Sequence, residues 1–141
     1  MPNEVISKKL EQIATLIEEL TGFLDVPFRE FGGDIRRVRS AERNFQLIVD
    51  TACDINTQIL LERGGKTPDT YKQSFIHLEK DGVLSSELTG KLARSVSVRN
   101  ILVHEYDFDE DYEKFFNAAK EMLATYQEYM KAVYEYILKR A

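Results

Sequence analysis

Cysteine, histidine, proline and glycine are all scarce in this 141-residue sequence, and tryptophan is absent. The single cysteine, Cys53, cannot form an internal disulfide, and the opening residues MPNEVISKKLEQ do not resemble a secretory signal. We therefore expect a protein of the reducing cytoplasm. Because no apolar run approaches the roughly 20 residues of a membrane-spanning helix, we also expect no membrane association.

The chemistry of metal and cofactor sites is equally poorly represented. Ile101 lies three residues before His104, and Ser74 lies three before His77, so neither histidine belongs to a Glu-x-x-His pair of a di-iron bundle. We predict no metal and no cofactor. The net charge of −5 argues against a protein that coats nucleic acid by bulk electrostatics, although it is compatible with a local basic patch.

What the sequence has in abundance is helical periodicity. Apolar residues recur at gaps of three and four in several long segments, and no segment alternates with the period of a strand. The most regular stripe lies in the second long helix, which Asp34 can cap; its members are Val38, Ala41, Phe45, Ile48, Ala52, Ile55 and Ile59. In the last helix, the predicted inward residues are Tyr112, Phe115, Ala119, Met122, Tyr126, Met130, Val133 and Ile137, whereas Tyr129 is less clearly inward.

These patterns predict an all-α fold, an up-and-down bundle of about five helices in one domain over residues 1–141. The segment DVPFREFGG is expected to be a break between the first two helices. RGGKT, at residues 63–67, resembles the end of a phosphate-binding loop. Because it lacks the earlier glycine and follows a helix, we interpret it as a helix C-terminus. Cys53 is expected to be a buried structural residue.

Two local features have a functional interpretation. Arg36, Arg39 and Arg43 share one helix face, which is either an ordinary solvated face or a phosphate-binding stripe for RNA. In RNILVHEYD, residues 99–107, Arg99 and His104 are separated by five positions, or about 140° around a helix. The two side chains converge only if the helix bends or ends early, which Asn100 and the acidic residues beyond it make plausible.

The stretch Arg99-Asn100-(three residues)-His104-Glu105-Tyr106 resembles the R-x4-H-x-Y signature of HepT-like toxins, which belong to the HEPN superfamily. A polar residue directly after the arginine, here Asn100, is typical of that superfamily. ERNFQLIVDTACDI resembles the family's long second helix, and the order of helices fits nearly the whole chain.

The resemblance implies a HEPN-type homodimer with its two motifs in a cleft at the dimer interface. It implies a metal-independent endoribonuclease that acts on tRNA or mRNA, as the toxin of a type VII-like toxin–antitoxin system. The expected partner is a minimal nucleotidyltransferase antitoxin, which would silence the toxin by attaching AMP to the motif tyrosine, Tyr106.

The residues are compatible with this chemistry. Histidine moves protons near neutral pH, which suits His104 for general acid–base catalysis. A guanidinium fits a charged phosphoryl transition state, which suits Arg99, while Asn100 would orient the substrate or hold the bend.

Acidic residues around the motif favour an alternative, because they would repel RNA: Glu105, Asp107, Asp109, Glu110 and Asp111. In that alternative, the chain is a non-catalytic helical subunit that binds substrate or nucleotide for a nucleotidyltransferase.

Overall fold

A computed structural model describes residues 2–104 and 111–140. Over these residues the chain forms six α-helices and no strand. The helices are α1 (Pro2–Leu24), α2 (Phe28–Gly32), α3 (Ile35–Glu62), α4 (Tyr71–Lys80), α5 (Ser86–His104) and α6 (Tyr112–Arg140). The predicted all-α bundle is confirmed.

The short helix α2 is the departure from the five predicted helices. It lies within the segment that was expected to be a simple break, and it begins after Pro27, whose fixed φ suits a helix start. Phe31 is fully buried, and its ring centroid lies 4.8 Å from that of Phe116 and 6.4 Å from that of Phe115, both in α6. Burial of this aromatic side chain therefore stabilises a helix that is too short to show periodicity.

Helix α3 is the central rod of the bundle and packs against α1, α4 and α5. The carboxylate of Asp34 caps it by accepting from the backbone N–H groups of Arg36 and Arg37, at 3.1 and 3.3 Å, as predicted. All seven residues of its predicted stripe are buried. Helix α3 therefore contacts α4 and α5, the two other helices of the candidate site.

The end of α3 confirms the interpretation of RGGKT. Gly64 has a φ of +79°, its N–H donates to the carbonyl of Leu61, and the N–H of Gly65 donates to that of Leu60. This is the Schellman arrangement, in which a left-handed glycine ends a helix. The segment is a helix terminus and not a phosphate-binding loop.

Helix α6 packs against α1, α2 and α5 and completes the core. Six of its eight predicted inward residues are buried, whereas Tyr112 and Met130 are half-buried. Tyr129, which the pattern left unassigned, is fully buried. Its hydroxyl donates to Asn56 Oδ1 at 2.6 Å, so a polar partner makes this burial possible.

Candidate active site

Arg99 lies near the C-terminal end of α5 and is held by three neighbours. Its Nε donates to Asp50 Oδ1 of α3 at 2.9 Å, and its Nη1 donates to the Oδ1 of Asn100 at 3.2 Å. Its guanidinium carbon lies 4.7 Å from the ring centroid of Tyr71, the first residue of α4. One edge and one face of the guanidinium are therefore fixed by residues from two other helices.

The contact between Arg99 and Asp50 is a partly buried ion pair. The two side chains are only 16% and 27% exposed. A charge at this depth is costly unless it is paired, so the carboxylate offsets much of the cost of burying the guanidinium. Burial raises the pKa of the Tyr71 phenol, and the negative charge of Asp50 raises it further, so Tyr71 stays neutral at physiological pH.

A buried chain of hydrogen bonds lies behind Tyr71. Tyr129 of α6 donates to Asn56 of α3, whose Nδ2 donates to Ser74 Oγ at 2.9 Å. The hydroxyl of Ser74 donates to the carbonyl of Tyr71 at 2.7 Å. The chain fixes the first turn of α4 on the rod α3, and with it the position of the Tyr71 ring.

His104 is the last residue of α5 and is exposed. Helix α5 is continuous from Ser86 through His104, so the expectation that it ends before His104 is wrong. Because five residues of α-helix turn a side chain by about 140°, Arg99 and His104 face different directions within one chain. Asn100 contacts Arg99 directly instead of holding a bend.

Tyr106 and most of the acidic residues beside the motif lie outside the described residues. The predicted roles of these residues therefore stay predictions. Asp111 is described: its Oδ1 accepts from the backbone N–H of Lys114 at 3.0 Å, so this carboxylate caps the start of α6.

The three arginines of the predicted RNA-binding stripe lie on the N-terminal half of α3. Arg36 and Arg43 are exposed. Arg39 pairs with Glu42 at 2.7 Å, and its Nη2 donates to the Tyr112 hydroxyl at 3.4 Å. Part of the positive charge of the stripe is thus neutralised by an intrahelical carboxylate.

Cys53 is buried as predicted and is 3% exposed. Burial, its largest influence, raises the pKa of its thiol from 9.0 to about 12, which suits a structural residue and not a nucleophile. His77 is exposed on α4.

Over residues 2–104 and 111–140, no group of three or more His, Cys, Asp or Glu side chains is arranged to hold a metal ion. Within the same ranges, no helix is long and apolar enough to cross a membrane.

Comparison with known proteins identifies the family. The family model described as Ribonuclease HepT-like matches residues 10–133. The chain belongs to the HepT-like ribonuclease family. The resemblance drawn from Arg99–Tyr106 is thereby confirmed, and the class of enzyme expected from it, a ribonuclease, is that of the family. A HepT-like relative, the tRNA nuclease HepT of Aphanizomenon flos-aquae, is 33% identical over 135 residues, which cover 95% of this chain and 90% of the relative.

Solved structures share the fold at lower sequence identity. A tri-AMPylated HEPN toxin of Shewanella oneidensis in complex with MNT antitoxin superposes with a TM-score of 0.85 at 20% identity, covering 93% of this chain and 97% of that one. YutE of Bacillus subtilis, a cytosolic protein of unknown function, superposes with a TM-score of 0.75 at 16% identity, covering 95% and 92%. These likenesses establish the HepT-like fold of the chain.

Two members of the candidate site, Asp50 and Tyr71, were not anticipated from the sequence. The available signal was weak: Asp50 is an acidic residue between the buried Val49 and Ala52, on the helix with the most regular apolar stripe. Tyr71 begins a short helix that has no evident chemistry of its own.

Proposed function

We propose that this chain is the endoribonuclease toxin of a type VII-like toxin–antitoxin pair and that it cuts cellular RNA in the cytoplasm without a metal. Arg99 and His104 are the catalytic residues. The observation that carries the proposal is the fixed guanidinium of Arg99, partly buried near the end of α5, five residues before the exposed imidazole of His104. Family membership supports the ribonuclease class.

The reaction uses the substrate's own nucleophile. The 2′-hydroxyl oxygen attacks the adjacent phosphorus and loses its proton to a base, while the 5′-oxygen leaves and gains a proton from an acid. The products are a 2′,3′-cyclic phosphate and a 5′-hydroxyl. His104 is suited to these proton transfers, and the Arg99 N–H groups stabilise the charge that develops on the phosphoryl oxygens.

The divergence of the two side chains within one helix supports a homodimeric site. Arg99 and His104 of one chain face different directions, so they do not meet within one copy. In a cleft between two copies, Arg99 of one copy can lie beside His104 of the other. Ile101 lies between them on α5 and is 46% exposed, which leaves an apolar side chain beside the site for a second copy to cover. We place the motifs of both copies in this interface.

RNA is held along α3. Arg36, Arg43 and Asp50 are spaced seven residues apart, so they lie on nearly the same face of the helix, about 10 Å from one to the next. Because Asp50 contacts Arg99, the exposed arginines form a row that leads towards the catalytic arginine. Phosphates bound by Arg36 and Arg43 would position the next phosphate of the RNA at Arg99. Arg39 would add the part of its positive charge that Glu42 does not neutralise.

The antitoxin partner is proposed from the solved relatives. The Shewanella oneidensis HEPN toxin is AMPylated and bound to MNT antitoxin. By analogy, a minimal nucleotidyltransferase binds this chain and transfers AMP from ATP to the hydroxyl of Tyr106, with release of pyrophosphate. A bulky anion two residues from His104 would obstruct and repel the RNA backbone.

The proposal is tested by RNA cleavage with matched control variants. Arg99→Ala and His104→Ala should fold and dimerise but lose cleavage of total tRNA, by roughly a hundredfold or more. Arg94→Ala removes an exposed arginine of the same helix, and His77→Ala removes the other histidine, so both should cleave at the normal rate.

Normal cleavage by either catalytic variant would refute the assigned roles. If the unmodified protein cleaves no RNA but binds a nucleotidyltransferase, the chain is the non-catalytic subunit of a nucleotidyltransferase complex.

A further inference from the structure

The contacts of Arg99 leave one part of its guanidinium available to a ligand. Nε is occupied by Asp50, one N–H of Nη1 is occupied by Asn100, and one face is covered by the ring of Tyr71. The remaining N–H groups lie on Nη1 and Nη2. These are the parallel donors that a phosphate binds in a bidentate manner.

We propose that Asp50 and Tyr71 are positioning residues that hold the Arg99 guanidinium in its catalytic orientation. This inference rests on the proposed function of Arg99 as the group that stabilises the transition state. Asp50 fixes the guanidinium along its Nε edge, and Tyr71 fixes its plane by stacking. Neither residue touches the RNA.

The flexibility of arginine is the physical reason for such a device. Its long side chain otherwise samples many rotamers, whereas a donor that is already oriented stabilises the transition state without reorganising during the reaction. A misplacement of about 1 Å can cost a hundredfold in rate. The partial burial of the pair strengthens both contacts relative to a fully solvated arginine.

The position of Tyr71 is itself determined by the core. The hydrogen bonds from Tyr129 through Asn56 and Ser74 reach the carbonyl of Tyr71 and fix the start of α4. The ring is therefore supported from α3 and α6, so it does not depend on the RNA or on a second copy for its place. The site is organised before substrate binds.

The carboxylate also offsets part of the positive potential around the arginine, and this leads to a specific kinetic signature. In Asp50→Asn the neutral amide keeps a similar shape, but the charge that restrains Arg99 is lost. The guanidinium then attracts phosphate at least as strongly, so KM should not rise, while kcat should fall roughly tenfold to a hundredfold. A residue that acted only on folding would lower the melting temperature without this split.

Tyr71 provides a pair of variants that separates stacking from its hydroxyl. Tyr71→Phe keeps the ring and should retain kcat within about twofold, whereas Tyr71→Leu loses the cation–π contact and should lower kcat about tenfold. Asp50→Glu keeps the charge and should recover part of the activity that Asp50→Asn loses. Circular dichroism of each variant controls for folding.

The decisive experiment combines these kinetics with the NMR signal of the Arg99 Nε–H group in the intact dimer. Arg99→Lys assigns the signal, and the exposed Arg94 is the internal reference. We expect slow solvent exchange for Arg99 in the unmodified protein and fast exchange in Asp50→Asn.

An unchanged exchange rate, or fast exchange together with normal kcat, would overturn the positioning role. Because the NMR signal does not require cleavage, an inactive unmodified protein that still shows the slow signal would refute the proposed function separately.

Discussion

Tyr129→Phe tests whether the buried hydrogen bonds behind the site stabilise the fold. The substitution removes one hydroxyl from a fully buried ring, and the amide oxygen of Asn56 loses its 2.6 Å donor. The Tyr129 hydroxyl also lies 3.0 Å from the backbone carbonyl oxygen of Ala52. That oxygen keeps its backbone hydrogen bond within α3 when the hydroxyl is removed. A buried acceptor left without a donor costs about 1–3 kcal/mol, so the free energy of unfolding should fall by that amount.

Tyr126→Phe is a second test on the same helix. The Tyr126 hydroxyl pairs with Ser95 Oγ at 2.7 Å, and Ser95 donates to the carbonyl of Leu92 at 2.6 Å. Removing the Tyr126 hydroxyl leaves the buried Ser95 oxygen without a donor, so the free energy of unfolding should again fall by about 1–3 kcal/mol. Tyr134→Phe, at an exposed position of the same helix, is the matched control and should change it by less than about 0.5 kcal/mol.

Urea unfolding at one fixed protein concentration measures the three values, because dimerisation would otherwise shift the midpoints. If Tyr129→Phe loses no more stability than Tyr134→Phe, the buried hydrogen bond does not stabilise the fold.

Three further predictions concern charge, modification and assembly. Between about pH 9 and 10 the Cys53 thiol ionises in the unfolded chain but stays protonated in the fold, so stability should fall with rising pH by up to roughly 1.4 kcal/mol per unit. Cys53→Ala should reduce this slope in urea titrations, and the remainder arises from Tyr126 and Tyr129, because burial raises the pKa of these phenols too. An unchanged slope would contradict the assignment. Tyr106→Phe should resist AMP transfer by the cognate nucleotidyltransferase, whereas Tyr134→Phe, at an exposed control position, should be labelled normally; single-site labelling of Tyr106→Phe in mass spectra would refute the modification site. Ile101→Asp should produce monomers in light scattering while Tyr134→Asp stays dimeric, and a dimeric Ile101→Asp would remove this residue from the interface.

Most of the fold was predictable because long helices carry their burial pattern in the sequence. The stripe of α3 was correct at all seven positions, since 28 residues supply many repeats of the helical period. The five-residue α2 has too few repeats, and tertiary burial of Phe31 determines it. Tyr129 was missed because its burial depends on a partner, Asn56, in a distant part of the chain.

The candidate site was predictable only where its residues are close in sequence. Arg99, Asn100 and His104 lie within one motif, whereas Asp50 is 49 residues from Arg99 along the chain. No periodicity relates residues on different helices, so the contact arises only from the packing of α3 against α5. The continuity of α5 was also missed, because a weak helix former such as Asn100 is tolerated where its side chain contacts Arg99.

The chemistry of the cut ends tests the proposed roles of Arg99 and His104 in metal-free RNA cleavage. The purified protein and its His104→Ala variant are incubated with total tRNA in excess EDTA, and the fragment ends are analysed. We expect 2′,3′-cyclic phosphate and 5′-hydroxyl ends from the unmodified protein alone. Absence of cleavage in EDTA with activity restored by a divalent metal, or equal cleavage by both proteins, would contradict it.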